Sequence, residues 1–273
     1  ATESPTFRQR WGQEAETKRR EYAQNFLYAI DFDHKLAKVA KVMMLIMGDG
    51  KTHVFRVNSL DPREWKSHPH RVGDFIRDDM FDVVMTNPPF AGEITQPEVL
   101  GGYDLAYKGD PAIYKRVSKL ERDVLFIERC LRFLRPGGRM AIVLPQGVFN
   151  NTTEQFIRNY VMQRARLLAV VGLHSNMFKP FTGTKTSVMF LQKWESQEQK
   201  AAAGDYRIFF ATSQRPGKDN SGKYIWLDKQ TGQRVRDTAG KKVAVDIELD
   251  HDLKDIAQAF KAFALEERLD FFL

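Results

Sequence analysis

The stretch Phe81-Asp82-Val83-Val84-Met85-Thr86-Asn87-Pro88-Pro89-Phe90 decides how this chain is interpreted. Its first six residues are rich in β-branched and large apolar side chains, which predicts a buried parallel strand. The polar Asn87, two prolines and an aromatic ring follow directly. Open α/β sheets place their ligands at the carboxyl ends of their strands. We therefore expect a functional site at residues 87–90.

The two prolines restrict the backbone of this tetrapeptide. Because Asn87 precedes Pro88, it is pushed into an extended conformation, and both prolines have a fixed φ and no N–H. The Asn87 side-chain oxygen and the Pro88 carbonyl are then two acceptors on a stiff backbone, which suits an exocyclic NH2 group. Phe90 offers a face on which a planar base can stack. Taken alone, the tetrapeptide also fits a simple strand-ending turn.

Asn87-Pro88-Pro89-Phe90 resembles the catalytic motif of the S-adenosylmethionine-dependent amino methyltransferases, in which Asn, Asp or Ser precedes two prolines and Tyr or Phe. The resemblance implies that Asn87 and Pro88 hold the target amine and that Phe90 stacks on a flipped-out base. An adenine N6 lone pair is delocalised into the ring and is a poor nucleophile. Hydrogen bonds that strengthen as this nitrogen becomes tetrahedral stabilise the transition state more than the ground state.

Two further strand ends match the order of that family. One predicted strand ends just before Asp31 and Phe32, and the next ends just before Asn58 and Ser59. Rossmann-like folds hold a ribose diol with a carboxylate at the tip of the second strand, so Asp31 is the candidate, with a cap or turn as its alternative role. The resemblance implies that Asn58 accepts from the adenine of the cofactor. The family usually has Asp there, so we expect a weaker bond.

The apolar patterning and the resemblance together predict an α/β fold, a Rossmann-like methyltransferase sheet that is mostly parallel and has a terminal antiparallel hairpin strand. The predicted strands are residues 26–30, 53–57, 81–86, 139–145, 166–173 and 185–192. The predicted helices are residues 11–25, 112–134, 152–163 and 250–264, with one more after Asp33. We expect a methyltransferase catalytic domain at residues 1–195. A small β appendage and a C-terminal amphipathic helix are expected at residues 196–273.

Two loops are candidates for contact with the substrate. Residues 91–111 are punctuated by glycine and proline, and we expect this long loop to close over DNA or the target base; a disordered insertion is the alternative. A second loop joins the last two predicted strands. The resemblance implies that it lies on the DNA side, which makes Phe181 and Lys185 candidates, although a plain hairpin turn fits this loop equally well.

Composition excludes several classes of protein. Hydrophobic residues make up 42% and charged residues 28% of the 273 residues, so the chain can bury a core. The net charge of +7 permits a polyanionic partner without establishing one. No apolar run is long enough to span a bilayer. The single cysteine, Cys130, lies in an apolar helical pattern, and the six histidines lack the spacing of a zinc site, so we expect a buried thiol and no metal.

The helix after Asp31 and the end of the sheet look most like the modification subunit of type I restriction–modification systems. This resemblance implies methylation of adenine N6 in DNA with S-adenosylmethionine as cofactor. It also implies a specificity subunit as partner, a restriction subunit as a further candidate, a hetero-oligomeric parent enzyme and a prokaryotic cytoplasmic location.

One part of the family pattern is missing. A glycine-rich turn, roughly Asp-Pro-x-x-Gly-x-Gly, normally follows the first strand, yet before Phe26 only Gly12 occurs. We therefore expect a chain that is incomplete at its N-terminus, lacks the first strand of its sheet and binds S-adenosylmethionine weakly or not at all by itself. The strands at 26–30 and 81–86 would then either pair directly or leave a slot.

Two other functions remain open at this point. The same motif serves the planar amide of glutamine, so methylation of a protein glutamine side chain at N5 is one alternative. A remnant without cofactor, acting in DNA binding or assembly, is the other, and the missing turn and Asn58 favour it. The long loop, the basic balance and the end of the sheet favour nucleic acid over a protein glutamine as the substrate.

Overall fold

In the computed structural model the chain divides into two units between Arg77 and Asp78. The structure describes residues 9–48, 53–108, 115–236 and 247–269.

The first unit is built around a pair of parallel strands. Its elements are α1 (Ala15–Phe26), β1 (Tyr28–Asp31), α2 (His34–Ile46), β2 (His53–Arg56), α3 (Arg63–Ser67) and α4 (Val72–Phe75). Strand β1 pairs with β2 so that Asp31 lies opposite Arg56. The strand predicted at 26–30 begins two residues late because α1 continues through Phe26.

The second unit contains the central sheet. Its strands are β3 (Phe81–Thr86), β4 (Glu93–Ile94), β5 (Tyr107–Lys108), β6 (Lys115–Arg116), β7 (Leu120–Glu121), β8 (Leu134–Pro145), β9 (Ala165–Gly172), β10 (Thr186–Lys193), β11 (Phe209–Thr212), β12 (Ile225–Asp228), β13 (Arg234–Arg236) and β14 (Ile247–Leu249). Its helices are α5 (Pro97–Leu100), α6 (Arg122–Phe133), α7 (Gly147–Asn150), α8 (Gln155–Arg164), α9 (Gln197–Ala203) and α10 (Leu253–Glu266).

Five strands form this sheet in the order β11-β9-β10-β8-β3. Strand β3 runs parallel to β8, with Thr86 opposite Ile142, and β11 runs parallel to β9. Strand β10 is antiparallel to both of its neighbours. The α/β fold with a mostly parallel sheet and one antiparallel hairpin strand is therefore confirmed.

Strand β3 has the predicted bounds but not the predicted burial. Val83 is 48% exposed and Met85 is 77% exposed. Val83 and Met85 lie on the same face of the strand, and that face is largely uncovered at β3. Strand β3 is also an edge strand, since β8 is its one strand neighbour among the described residues. The prediction of a buried strand was wrong. Strands β1 and β3 belong to different sheets, so the direct pairing considered from the sequence is not observed in the described ranges.

Helices on the sheet bury the core of the second unit. Helices α6 and α8 pack on β8 and β9, and Ile127 and Ile157 are fully buried. Cys130 is also buried, and burial raises the pKa of its thiol to about 12, as expected for an inert cysteine. The C-terminal amphipathic helix is confirmed as α10, whose Phe263 and Ala264 pack against Leu168.

Two regions differ in detail from the sequence predictions. The helix predicted at 112–134 begins only at Arg122, because β6 and β7 precede it; residues 112–114 lie outside the described ranges. Within the predicted appendage, β11 extends the central sheet, whereas β12, β13 and β14 form a separate three-stranded sheet. Residues 237–246 of that region also lie outside the described ranges, and the domain boundary at 195 stays a prediction.

In the ranges that the structure describes, no helix has the length and apolar character needed to cross a bilayer. The same ranges contain no group of three or more His, Cys, Asp or Glu side chains arranged to hold a metal ion.

Asp123 gives the second unit a testable pH dependence. This side chain is buried, and burial raises the pKa of its carboxyl to about 6, although Val124 N donates a hydrogen bond to it. The folded state therefore binds this proton more tightly than the unfolded state does, so stability falls as pH rises from about 4 to about 6 and stays lower above that range.

We expect Asp123→Asn to raise the free energy of unfolding at pH 8 by about 1–2 kcal/mol, with little effect at pH 4. Urea denaturation at both pH values measures this difference, with the exposed Asp205→Asn as the control. An equal effect of Asp123→Asn at both pH values would contradict the assignment.

Candidate functional site

The Asn-Pro-Pro-Phe segment leaves the sheet at the carboxyl end of β3, as predicted. Asn87 and Pro89 are exposed, Pro88 is buried and Phe90 is half-buried. No hydrogen bond from the described residues engages the Asn87 side chain or the Pro88 carbonyl. Buried Pro88 therefore anchors a segment in which the Asn87 side chain is exposed and the Phe90 ring is half-buried.

The ring of Phe90 packs against one other aromatic ring in the described part of the chain. Its centroid lies 5.6 Å from that of Phe178, with an angle of 78° between the ring planes. Such edge-to-face pairs are favourable beyond the area that they bury. Phe178 belongs to the loop between β9 and β10, which also carries Phe181 and Lys185. Phe181 is 90% exposed and Lys185 is exposed, so both candidates are accessible from solvent.

The segment that follows the motif is folded where the structure describes it. Tyr103, Leu105 and Ala106 are buried, as are Val99 and Leu100 of α5. This packing argues against a disordered insertion for residues 91–108. The proposed closure over a substrate stays a prediction, and residues 109–111 of the predicted loop lie outside the described ranges.

A buried carboxylate fastens this segment to α6. Glu128 is fully buried, and its two oxygens accept hydrogen bonds from Asp104 N and Leu105 N, each at 2.9 Å. Arg132 donates a further hydrogen bond to Glu128. Because a buried charge is costly unless it is paired, these bonds hold the carboxylate and the segment together.

A buried cation makes a second connection nearby. Arg129 is 2% exposed; it pairs with Asp78 at 2.9 Å and donates to the Tyr103 hydroxyl at 3.2 Å. Burial raises the pKa of Tyr103, so this hydroxyl stays protonated at neutral pH. Arg129 thus links Tyr103 to α6, the helix that also carries Glu128.

The residues predicted to bind the cofactor lie in the first unit. Asp31 ends β1, and Asn58 and Ser59 follow the adjacent parallel strand β2, so these three residues lie at one edge of the small sheet. Asp31, Asn58 and Ser59 are half-buried, and Phe32 is 71% exposed. The acceptor oxygens of Asp31 and Asn58 fit the hydroxyl groups of a ribose and the amino group of an adenine.

Local hydrogen bonds already use part of these side chains. Asp31 Oδ1 accepts from Asp33 N at 2.7 Å, and Asn58 Oδ1 accepts from Leu60 N at 3.0 Å. Asp33 accepts from two backbone N–H groups at the start of α2 and is the helix cap; these bonds lower the pKa of its carboxyl. The Asp31 side chain therefore closes a turn. Asp31 Oδ1 and Asn58 Oδ1 each keep a second lone pair that a ligand can use.

Sequence reasoning missed Glu128 and Phe178. Glu128 follows Val124 by four positions, on the apolar face of the predicted helix, and a carboxylate in that position is a signal that could have been found. Phe178 carries no such signal. Its contact with Phe90 joins residues 88 positions apart, and only the fold brings them together.

Comparisons with known proteins agree on one family. The family model described as N-6 DNA Methylase matches residues 10–267. The EcoEI type I restriction enzyme methylase subunit of Escherichia coli is 30% identical over 123 residues, which are 45% of this chain and 23% of that protein. The MpnII type I methylase subunit of Mycoplasma pneumoniae is 27% identical over 173 residues, 61% of this chain and 30% of that protein. This chain thus spans less than a third of either relative.

One solved structure supports the fold. The type I restriction-modification methyltransferase subunit from Streptococcus thermophilus has a TM-score of 0.53 and 20% identity, and the match covers 91% of this chain and 45% of that chain.

Glu128 provides a test of how the segment after the motif is held. We expect Glu128→Ala to lower the free energy of unfolding by about 3 kcal/mol, because two backbone N–H groups and Arg132 lose their partner in a buried site. Urea denaturation measures this loss, and hydrogen exchange of residues 103–106 should accelerate. The exposed Glu98→Ala, in α5 of the same segment, is the matched control. Equal stability of the two variants would show that Glu128 does not hold the segment.

Proposed function

Since this chain belongs to the N-6 DNA methylase family, we propose that it contributes the target-amine site of an enzyme that methylates adenine N6 in DNA. The methyl donor is S-adenosylmethionine. One observation carries the proposal: the Asn87 side chain is exposed at the carboxyl end of β3, three residues before Phe90, and no described residue forms a hydrogen bond with it.

Asn87 and Pro88 act on the attacking nitrogen. The Asn87 side-chain oxygen and the Pro88 carbonyl accept the two N6 hydrogens, which turns the nitrogen lone pair out of conjugation with the ring. As the N–CH3 bond forms and the S–CH3 bond of the donor breaks, leaving its electron pair on sulfur, the nitrogen gains positive charge. Its N–H groups become stronger donors, so both hydrogen bonds strengthen in the transition state. Pro89 keeps the backbone of this turn stiff. After the transfer, N6 releases one proton to water.

Phe90 provides the surface on which the base rests. An adenine in a duplex cannot reach a protein acceptor pair until it leaves the stack, and the enzymes that modify bases flip the target into a pocket. The half-buried ring of Phe90 replaces part of the lost stacking, which is worth about 1–3 kcal/mol per base on an aromatic side chain.

The first unit holds the cofactor in this proposal. Asp31 would hold the ribose hydroxyls and Asn58 the adenine of the cofactor, with Phe32 and Ser59 as further candidates for contact with it. S-adenosylmethionine, when bound, supplies an electrophilic methyl group on a positively charged sulfur. Asn58 is uncharged and already accepts from Leu60 N, so its bond to the cofactor is weaker than that of a carboxylate.

DNA is the proposed macromolecular substrate. The net charge of +7 favours a polyanion, and exposed Phe181 and Lys185 lie on the loop that carries Phe178. By analogy with type I methylase subunits, a specificity subunit selects the sequence, and a restriction subunit is a further partner in a hetero-oligomer. Such an enzyme acts on DNA in the cytoplasm of a prokaryotic cell.

The other two functions are less well supported. The match to a DNA methylase family over residues 10–267 favours DNA over a protein glutamine side chain. A remnant that only binds DNA or assists assembly would not need an accessible Asn87 amide.

Asn87 is the residue that tests the proposal. In the full-length protein with its partner subunits, we expect Asn87→Ala to lower kcat for methyl transfer to adenine by at least about 100-fold, because one of the two acceptors is lost. Transfer of a labelled methyl group to DNA, followed by nucleoside analysis, measures the rate and the methylated atom. Exposed Asn159→Ala, in α8, controls for the loss of an amide. Unchanged methylation by Asn87→Ala would favour the assembly role.

Cofactor binding by these 273 residues gives a separate test. We expect the Kd for S-adenosylmethionine to be at least about 100-fold higher for this chain than for the full-length protein, because the glycine-rich turn does not precede Phe26. Isothermal titration calorimetry measures both constants. Asp31→Asn in the full-length protein should weaken binding further, and tight binding to this chain alone would refute the expectation.

A further inference from the structure

The loop between β9 and β10 holds Phe178 in a series of tight turns. Met177 N donates to His174 O at 2.9 Å, and Phe181 N donates to Phe178 O at 3.0 Å. Turns of this kind define the local backbone, but they leave several carbonyl groups of the loop without a partner in the loop itself. A segment 41 positions away in the sequence supplies that partner.

Lys218 donates to the two carbonyl groups that flank Phe178 in the sequence. Its Nζ lies 3.1 Å from Met177 O and 3.0 Å from Lys179 O, and the side chain is partly buried. Hydrogen bonds from a charged donor are roughly twice as strong as neutral ones. One ammonium group thus fixes the backbone on both sides of the aromatic residue that touches Phe90.

Two further contacts fit the turn that carries Lys218 against the same loop. Asn176 is 5% exposed, and its Nδ2 donates to Asn220 Oδ1 at 2.9 Å. Gly222 has a φ of +88°, and a Cβ there would lie 2.6 Å from Pro180 N, so any side chain would push the two segments apart. The Lys218 turn, residues 218–223, is therefore built to lie directly on this loop.

We propose that Lys218 is a positioning residue of the methyltransferase site, an inference that rests on the function proposed above. Lys218 holds residues 177–179, the held backbone fixes the ring of Phe178, and this ring sets the angle of Phe90, on which the target base stacks. A misplacement of about 1 Å at a reacting group can cost 100-fold in rate. The segment after β11 then contributes to catalysis without touching the substrate.

Steady-state kinetics of the full-length protein test this role. We expect Lys218→Met, which keeps the apolar stem, to lower kcat about tenfold while the KM values for DNA and S-adenosylmethionine change less than about threefold. Lys218→Arg can still donate to both carbonyl groups and should restore most of kcat. Lys229→Met, an exposed position in the β12–β13 turn, removes the same charge and should behave as wild type.

Phe178→Leu provides a second variant that leaves Lys218 in place. It removes the edge contact with Phe90 and should lower kcat to a similar extent. In both variants, a DNA with 2-aminopurine at the target position should show a fluorescence different from that of the wild-type complex, because the flipped base stacks on a less ordered ring. Wild-type kcat in both Lys218→Met and Phe178→Leu would overturn the inference.

Hydrogen exchange separates this inference from the proposed function. Amides of residues 174–184 should exchange about tenfold faster in Lys218→Met than in wild type or Lys229→Met, whatever the reaction is. If the wild-type protein does not methylate adenine, the proposed function fails and the catalytic role of Lys218 fails with it. If the wild type methylates adenine and Lys218→Met exchanges and turns over as wild type, only the inference fails.

Discussion

The parallel pairing of β3 with β8 fixes where the Asn-Pro-Pro-Phe segment leaves the sheet. Thr86 lies opposite Ile142, so the chain emerges one residue later with Asn87, and buried Pro88 anchors it there. The prolines remove both backbone donors and most of the backbone freedom at this point. The exposed Asn87 side chain is consequently carried on a short backbone segment with little conformational freedom.

Two charged side chains hold the segments that adjoin this motif. One segment follows the motif in the sequence, and the other carries Phe178, whose ring contacts Phe90. Glu128 receives two backbone N–H groups of the segment after the motif, and Lys218 donates to two carbonyl groups of the loop that carries Phe178. In both cases one charged group binds two backbone groups of the same segment. Such bonds are directional and are costly to leave unpaired, which makes them suitable for holding a site on loops rather than on the sheet itself.

The sequence predicted best those features that depend on residues close together in the chain. The bounds of β3, the exposed Asn87 and the Asp33 cap follow from apolar runs, prolines and short polar side chains, which act within a few residues. Periodicity could not reveal that β3 lies at an edge, because an apolar run predicts a strand but not the number of its neighbours. The roles of Phe178 and Lys218 depend on contacts across 88 and 41 positions, which the fold alone creates.

The exposure of Met85 has a practical consequence. A strand with apolar side chains and one side not covered by another strand is a template for edge-to-edge association with extended chains. In β3, Val83 and Met85 present such a surface beside the motif itself. Self-association at high protein concentration would therefore begin at β3, and pairing at this edge would place a second chain beside the segment that carries Asn87.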